Sequence, residues 1–102
     1  MIQHVVLLSL VPDYDETELG QVMRGLADLG EQLEGFTAFS HGPNQDFEEK
    51  SADYGYGFIC TFTDQAALAR YAGDTRHHAL GGRLVALCVS GAEGIFVADI
   101  ET

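Results

Sequence analysis

The sequence predicts an α+β fold: a four-stranded antiparallel sheet with its helices on one face, in the order β-α-β-β-α-β. Three observations lead there. Two runs near the ends of the chain, Ile2–Val11 and Ile95–Ile100, are β-branched and apolar, as strands are. Leu19, Val22, Met23, Leu26, Leu29 and Leu33 recur at helical spacing. Two aromatic runs, Phe36–Ser40 and Tyr54–Thr63, flank a polar stretch in the middle.

Each element has a start and a stop. The first strand, Ile2–Val11, ends at Pro12, which cannot donate to a ladder. Asp15 is placed to cap the following helix, and Glu18 stands three residues on, as in a capping box. Gly35 supplies the stop. Phe36–Ser40 is a short strand, and His41-Gly42-Pro43-Asn44 is a turn signal. Gln45–Asp53 reads as an exposed loop. Tyr54–Thr63 is the third strand, and Gly55 and Gly57 within it point to close approach by another element. Asp64 caps a helix carrying Ala67, Leu68 and Tyr71, which ends near Gly73. A second helical piece starts near Thr75 and runs through Leu80, Leu84 and Leu87 until Gly91 and Gly94 break it. Ile95–Ile100 closes the sheet. This is the ferredoxin-like split βαβ pattern.

The chain's 102 residues suit one domain, spanning 1–102. Hydrophobic residues at 46% and charged residues at 21% fit a folded globular protein. Sixteen acidic and five basic residues leave a net charge of -11. Such a surface repels phosphate backbones and anionic lipid, which argues against nucleic-acid and membrane partners. Cys60 and Cys88 sit in apolar runs without metal or CxxC spacing, so both read as small buried hydrophobes. No run resembles a signal peptide or is long enough to span a bilayer, and the expected compartment is the cytoplasm.

A sheet covered on one face alternates apolar and polar residues. The first strand does not. His4, Val6, Leu8 and Leu10 point one way; Val5, Leu7 and Val11 point the other. In the last strand Phe96, Ala98 and Ile100 oppose Ile95 and Val97. Two helices cover one face only. The other face is expected to pack on a second subunit, giving a homodimeric barrel with two-fold symmetry.

Few residues can carry chemistry. His4 lies among apolar neighbours, where its ring nitrogens need partners. Tyr71, His77 and His78 surround the break in the second helix. Tyr54 and Tyr56 lie on the third strand, and His41 and Asn44 at the turn. Each also has a plain packing role. A helix-face tyrosine packs its body and parks its hydroxyl, and Asn44 suits a turn. One of His77 and His78 must face solvent. No phosphate loop, nucleophile motif or metal-ligand spacing is present, so neither a cofactor nor a metal is expected. What remains is a histidine–tyrosine set suited to proton transfer on a small organic molecule.

Several segments resemble, in order, the stress-responsive A/B barrel (Dabb) family. They are Met1–Leu8, Phe39–Asn44, Tyr54–Phe58, Thr61–Asp64, Tyr71 with His77 six residues on, and Gly94–Asp99. The resemblance covers essentially the whole chain and implies a dimeric α+β barrel. It further implies a role on small molecules. A plant polyketide cyclase of this family closes its ring by cofactor-free aldol condensation, using a tyrosine and a histidine at the positions of Tyr71 and His77. A first-strand histidine at the position of His4 lines the same pocket. Here Asp74-Thr75-Arg76-His77 replaces the usual His-Pro-x-His run, and Tyr56 stands where histidine is frequent. The resemblance thus implies His77 as base, Tyr71 as hydrogen-bond donor and His4 as orienting group. It places a pocket between sheet and helices, lined by Tyr56, Val6, Leu8, Phe58, Leu80 and Leu84, for a small, apolar, carbonyl-bearing ligand. A non-catalytic, stress-associated dimer built on the same residues stays open as an alternative.

Overall fold

The computed structural model describes residues 1–102. Its elements are β1 (Ile2–Leu8), α1 (Glu16–Gln32), β2 (Phe36–Pro43), β3 (Tyr56–Phe62), α2 (Gln65–Ala72), α3 (Thr75–Val85), a 3-10 turn (Gly91–Gly94) and β4 (Ile95–Glu101). The strands lie in the order β2-β3-β1-β4, and all neighbours are antiparallel. The fold is the ferredoxin-like α+β arrangement, with the second helix in two pieces.

Local chemistry sets the helix ends. The Glu18 N–H donates to Asp15 Oδ1 at 3.1 Å, the Ala67 N–H to Asp64 Oδ1 at 2.8 Å, and the Arg76 N–H to Asp74 Oδ1 at 2.8 Å. The capping box at Asp15 is only half made. The Glu18 carboxylate turns instead to Arg83 on α3, at 2.9 and 2.5 Å, and ties the two helices together. Gly35 ends the α1 turn at φ +86, a left-handed conformation that favours glycine.

One face of the sheet and one stripe of α1 make the core. Val6 and Leu8 of β1 and Phe58, Cys60 and Phe62 of β3 are buried against Leu19, Val22, Met23, Leu26 and Leu29. Burial of each large apolar side chain contributes about 1.5–3 kcal/mol.

Several boundaries differ from the sequence reading. β1 stops at Leu8 rather than Val11, because the chain leaves the ladder to meet the turn before β4. The Ser9 N–H donates to the Gly94 carbonyl and the Val89 N–H to the Ser9 carbonyl, both at 2.8 Å. β2 continues through the expected turn to Pro43. It is an edge strand, so a proline lacking an N–H is tolerated there. β3 starts at Tyr56, since Tyr54 belongs to the loop through a bond to the Ser51 carbonyl at 2.9 Å. Gly57 is crowded by Leu7, as its spacing implied, whereas Gly55 faces open space.

Gly94 is the tightest glycine. A Cβ there would sit 2.4 Å from the Val89 carbonyl oxygen, which is backbone and cannot swing aside. Gly94→Ala is expected to cost about 1–3 kcal/mol, as overpacking does. A chemical denaturation curve with unchanged midpoint would contradict that.

The far face of the sheet carries Gln3, Val5 and Leu7 of β1, Ala38, Ser40 and Gly42 of β2, Gly57, Ile59 and Thr61 of β3, and Phe96, Ala98 and Ile100 of β4. No charged residue lies among them. Ile59, Phe96 and Ile100 are 39%, 49% and 54% exposed in the single chain.

Candidate active site

Three of the expected residues come together at one end of the helix-covered face. Tyr71, in the last turn of α2, is buried in a nest of rings. Its ring centroid lies 5.2 Å from Phe62, 5.5 Å from Phe36, 5.9 Å from His4 and 4.2 Å from His77. The break between α2 and α3 places His77 over that ring. Adjacent helical residues diverge, so His78 faces outward, and its Nε2–H donates to the Ala72 carbonyl at 2.7 Å. His77 is the inward member of the pair.

Arg76 fixes this junction. Its guanidinium donates to Asp74 at 2.7 and 3.0 Å and to Gln32 Oε1 on α1 at 2.7 Å. The hydrogen bonds from Arg76 hold the Asp74 carboxyl at about 2.

The protonation states follow from burial. Burial pushes the Tyr71 hydroxyl far above the ordinary phenol range and the Cys60 thiol up to about 12. These two groups lie against each other, and both are neutral at pH 7. Burial is the first cause that pulls His77 below the ordinary 6.5; the Ala72 carbonyl opposes it, and the neighbouring His78 and His4 add to it. His77 Nδ1 is buried without a hydrogen-bond partner. Such orphans are rare and need a reason.

His4 has a partner that sequence reasoning missed. Its Nδ1 lies 2.5 Å from Asp99 Oδ1. The two stand opposite each other on β1 and β4. A histidine held this way by a carboxylate has its tautomer and ring orientation set, with Nε2 left free for other work. The available signal was Asp99 itself, the lone charge within the apolar run from Ile95 to Ile100. Only the strand register brings it to His4.

The other expected residues lie elsewhere. Tyr56 is four residues from Cys60 along β3, about 13 Å away at strand rise. It bonds through its hydroxyl to His41 Nδ1 at 2.5 Å. Tyr54 packs edge-on against Phe96. Asn44 braces the loop, its Nδ2 donating to Ser51 Oγ and the Tyr54 carbonyl. Val6, Leu8, Phe58 and Leu84 are packed in the core, and Leu80 fills the notch at Gly25 on α1. None of the five principal surface hollows reaches His4, Tyr71 or His77. No group of three or more histidine, cysteine or acidic side chains converges as metal ligands.

The His77 shift predicts a pH dependence of stability. A histidine with a depressed folded pKa binds its proton more readily unfolded. Its contribution to stability is present above about pH 6.5 and is lost as pH falls through its folded value. Unfolding midpoints of wild type and His77→Phe should therefore diverge below pH 6.5, with wild type losing more. Parallel curves would contradict the shift.

Fold and site together define a ferredoxin-like α+β protein with a histidine–tyrosine cluster beneath its helices. The chain belongs to the Dabb family, the stress responsive A/B barrel domain, whose model matches residues 2–102. A dimeric ferredoxin-like protein of unknown function from Jannaschia sp. CCS1 is 46% identical, with a TM-score of 0.93 over 99% of this chain and 98% of that one. Hydroxynitrile lyase from Passiflora edulis is 12% identical, with a TM-score of 0.79 over 97% and 90%. SnoaB, a cofactor-independent oxygenase from Streptomyces nogalater, is 17% identical, with a TM-score of 0.76 over 99% and 91%. The last two likenesses are of fold alone. No curated protein matches the chain by sequence. No helix is long and apolar enough to cross a membrane.

Proposed function

We propose that the chain is a cofactor-independent acid/base enzyme that acts, as a homodimer, on a small, largely apolar, carbonyl-bearing molecule. The observation that carries this reading is the buried, unpartnered Nδ1 of His77. A buried nitrogen left without a hydrogen bond costs about 1–3 kcal/mol, and a substrate proton would supply the missing partner. His77 is neutral at pH 7 and can take a proton α to a carbonyl. Tyr71, also neutral, turns its hydroxyl from Cys60 to the oxygen that becomes an enolate. His4, held by Asp99, orients the substrate through Nε2. The proton on His77 then returns to the product, as in an aldol ring closure of the polyketide-cyclase type or an isomerisation. Entry requires the α2–α3 junction around Gly73 to shift, because the three rings are packed together. The hydroxynitrile lyase and the oxygenase support the fold as a host for small-molecule chemistry, though function rests on the site.

The homodimer rests on the uncharged far face of the sheet and on the dimeric Jannaschia relative. A second reading, a non-catalytic binding or structural dimer, is favoured by one observation: the cluster is closed, with Tyr71 1% exposed and none of the five principal hollows reaching it. Deuterium exchange at the α-carbon of an aryl β-diketone separates the two. Exchange above the buffer rate that is lost in His77→Gln supports the enzyme; no exchange above buffer supports the second reading.

A further inference from the structure

We infer that the first half of α3, Thr75–Leu80, is a lid over the histidine–tyrosine cluster, hinged at Gly81 and Gly82 and latched by Arg76. Resting on the acid/base reading above, this lid supplies the route by which a substrate reaches His77.

The two halves of α3 are held differently. The second half is anchored on several sides. It holds Leu84, the one buried residue of the helix. Arg83 donates to both carboxylate oxygens of Glu18, at 2.9 and 2.5 Å, and to Gln21 Oε1 at 3.2 Å. Just beyond the helix, the Val11 N–H donates to the Leu87 carbonyl at 3.0 Å and the Val89 N–H to the Ser9 carbonyl at 2.8 Å. The first half has no buried residue. His77 and Leu80 are half-buried, and Thr75, Arg76, His78 and Ala79 are exposed. A segment with so little buried surface opens at low free energy.

Gly81 and Gly82 stand where the two halves meet. Glycine is second only to proline as a costly residue inside a helix, because it has the most backbone freedom to lose. Packing requires neither glycine here, since a Cβ on either would meet nothing within 4 Å. Gly25 and Gly30 of α1 differ, because a Cβ on each would sit 2.7 Å from Leu80 or Phe36. The pair in α3 therefore supplies a weak point at which the first half bends away.

One side-chain hydrogen bond ties the lid to α1. Arg76 Nη1 donates to Gln32 Oε1 at 2.7 Å, while Asp74 holds the same guanidinium at 2.7 and 3.0 Å. The Arg76 side chain is 51% exposed, so water competes for these bonds and the latch releases. Closure sets His77 over the Tyr71 ring and leaves its Nδ1 buried without a partner. Opening gives that nitrogen water, and a substrate that donates to it draws the lid shut.

Amide hydrogen exchange on the whole protein, followed by NMR without urea and in low urea, tests the lid. Amides of His78–Gly82 should exchange about tenfold faster than those of Leu84–Cys88, at a rate that low urea leaves unchanged, as local opening does. Arg76→Gln should speed the first group by about threefold and leave the second alone. Gly81→Ala combined with Gly82→Ala should slow the first group by about tenfold. Exchange of both groups together, with the urea dependence of global unfolding, would overturn the lid. So would an Arg76→Gln effect spread equally over both groups. Neither result touches the acid/base reading, because no substrate is present. A lid that opens as described in a protein that exchanges no aryl β-diketone proton keeps the lid and overturns that reading.

Discussion

Tyr71→Ala will lower the free energy of unfolding by about 3–5 kcal/mol, the range for truncating a buried aromatic side chain. Tyr71 is 1% exposed and packs among the rings of Phe36, Phe62, His4 and His77, so its removal opens a cavity between sheet and α2. Total stability of a domain this size is about 5–15 kcal/mol, so the loss is a large share. Thermal unfolding should shift down by more than about 10 °C. Tyr71→Phe keeps the ring and its packing and should cost about 1 kcal/mol or less. A small effect of Tyr71→Ala would mean that the ring cluster is not packed as described.

The second large effect falls on turnover. His77→Gln should lower the rate of α-proton exchange by about 10²–10⁴-fold, the usual contribution of a positioned base. Stability should move the other way in His77→Phe. The phenyl ring keeps the contact with Tyr71 and removes the orphan nitrogen, so the protein should be as stable as wild type or more so at pH 7. Gain of stability with loss of function marks a residue kept for chemistry. A histidine held only for structure gives the opposite result, a loss of stability on replacement by phenylalanine.

Much of the fold was legible because periodicity and caps act locally. Asp15, Asp64 and Gly35 stand where their side-chain chemistry or φ requires, and the buried stripe of α1 is the one its spacing implies. The misread boundaries are those set by distant partners. β1 leaves its ladder at Ser9 because Gly94 and Val89, 85 and 80 residues further along the chain, compete for its backbone. Pro43 reads as a turn residue but sits in a strand because that strand is an edge. The site divides along the same line. Tyr71 and His77 share one helix break, and helical geometry places them together. Asp99 meets His4 only through sheet register, which no local pattern encodes. Tyr56 fell outside the cluster because position along the strand, and not face alone, decides what a side chain reaches.

The most direct test of the account is the ¹⁵N resonance pair of the His77 imidazole, followed by NMR through a pH titration with and without an aryl β-diketone. The expected result is a midpoint below the ordinary 6.5, a neutral ring at pH 7, and a shift of Nδ1 when the diketone is added. An ordinary midpoint with no response to the diketone would contradict it, and the cluster would then be the rigid core of a non-catalytic dimer.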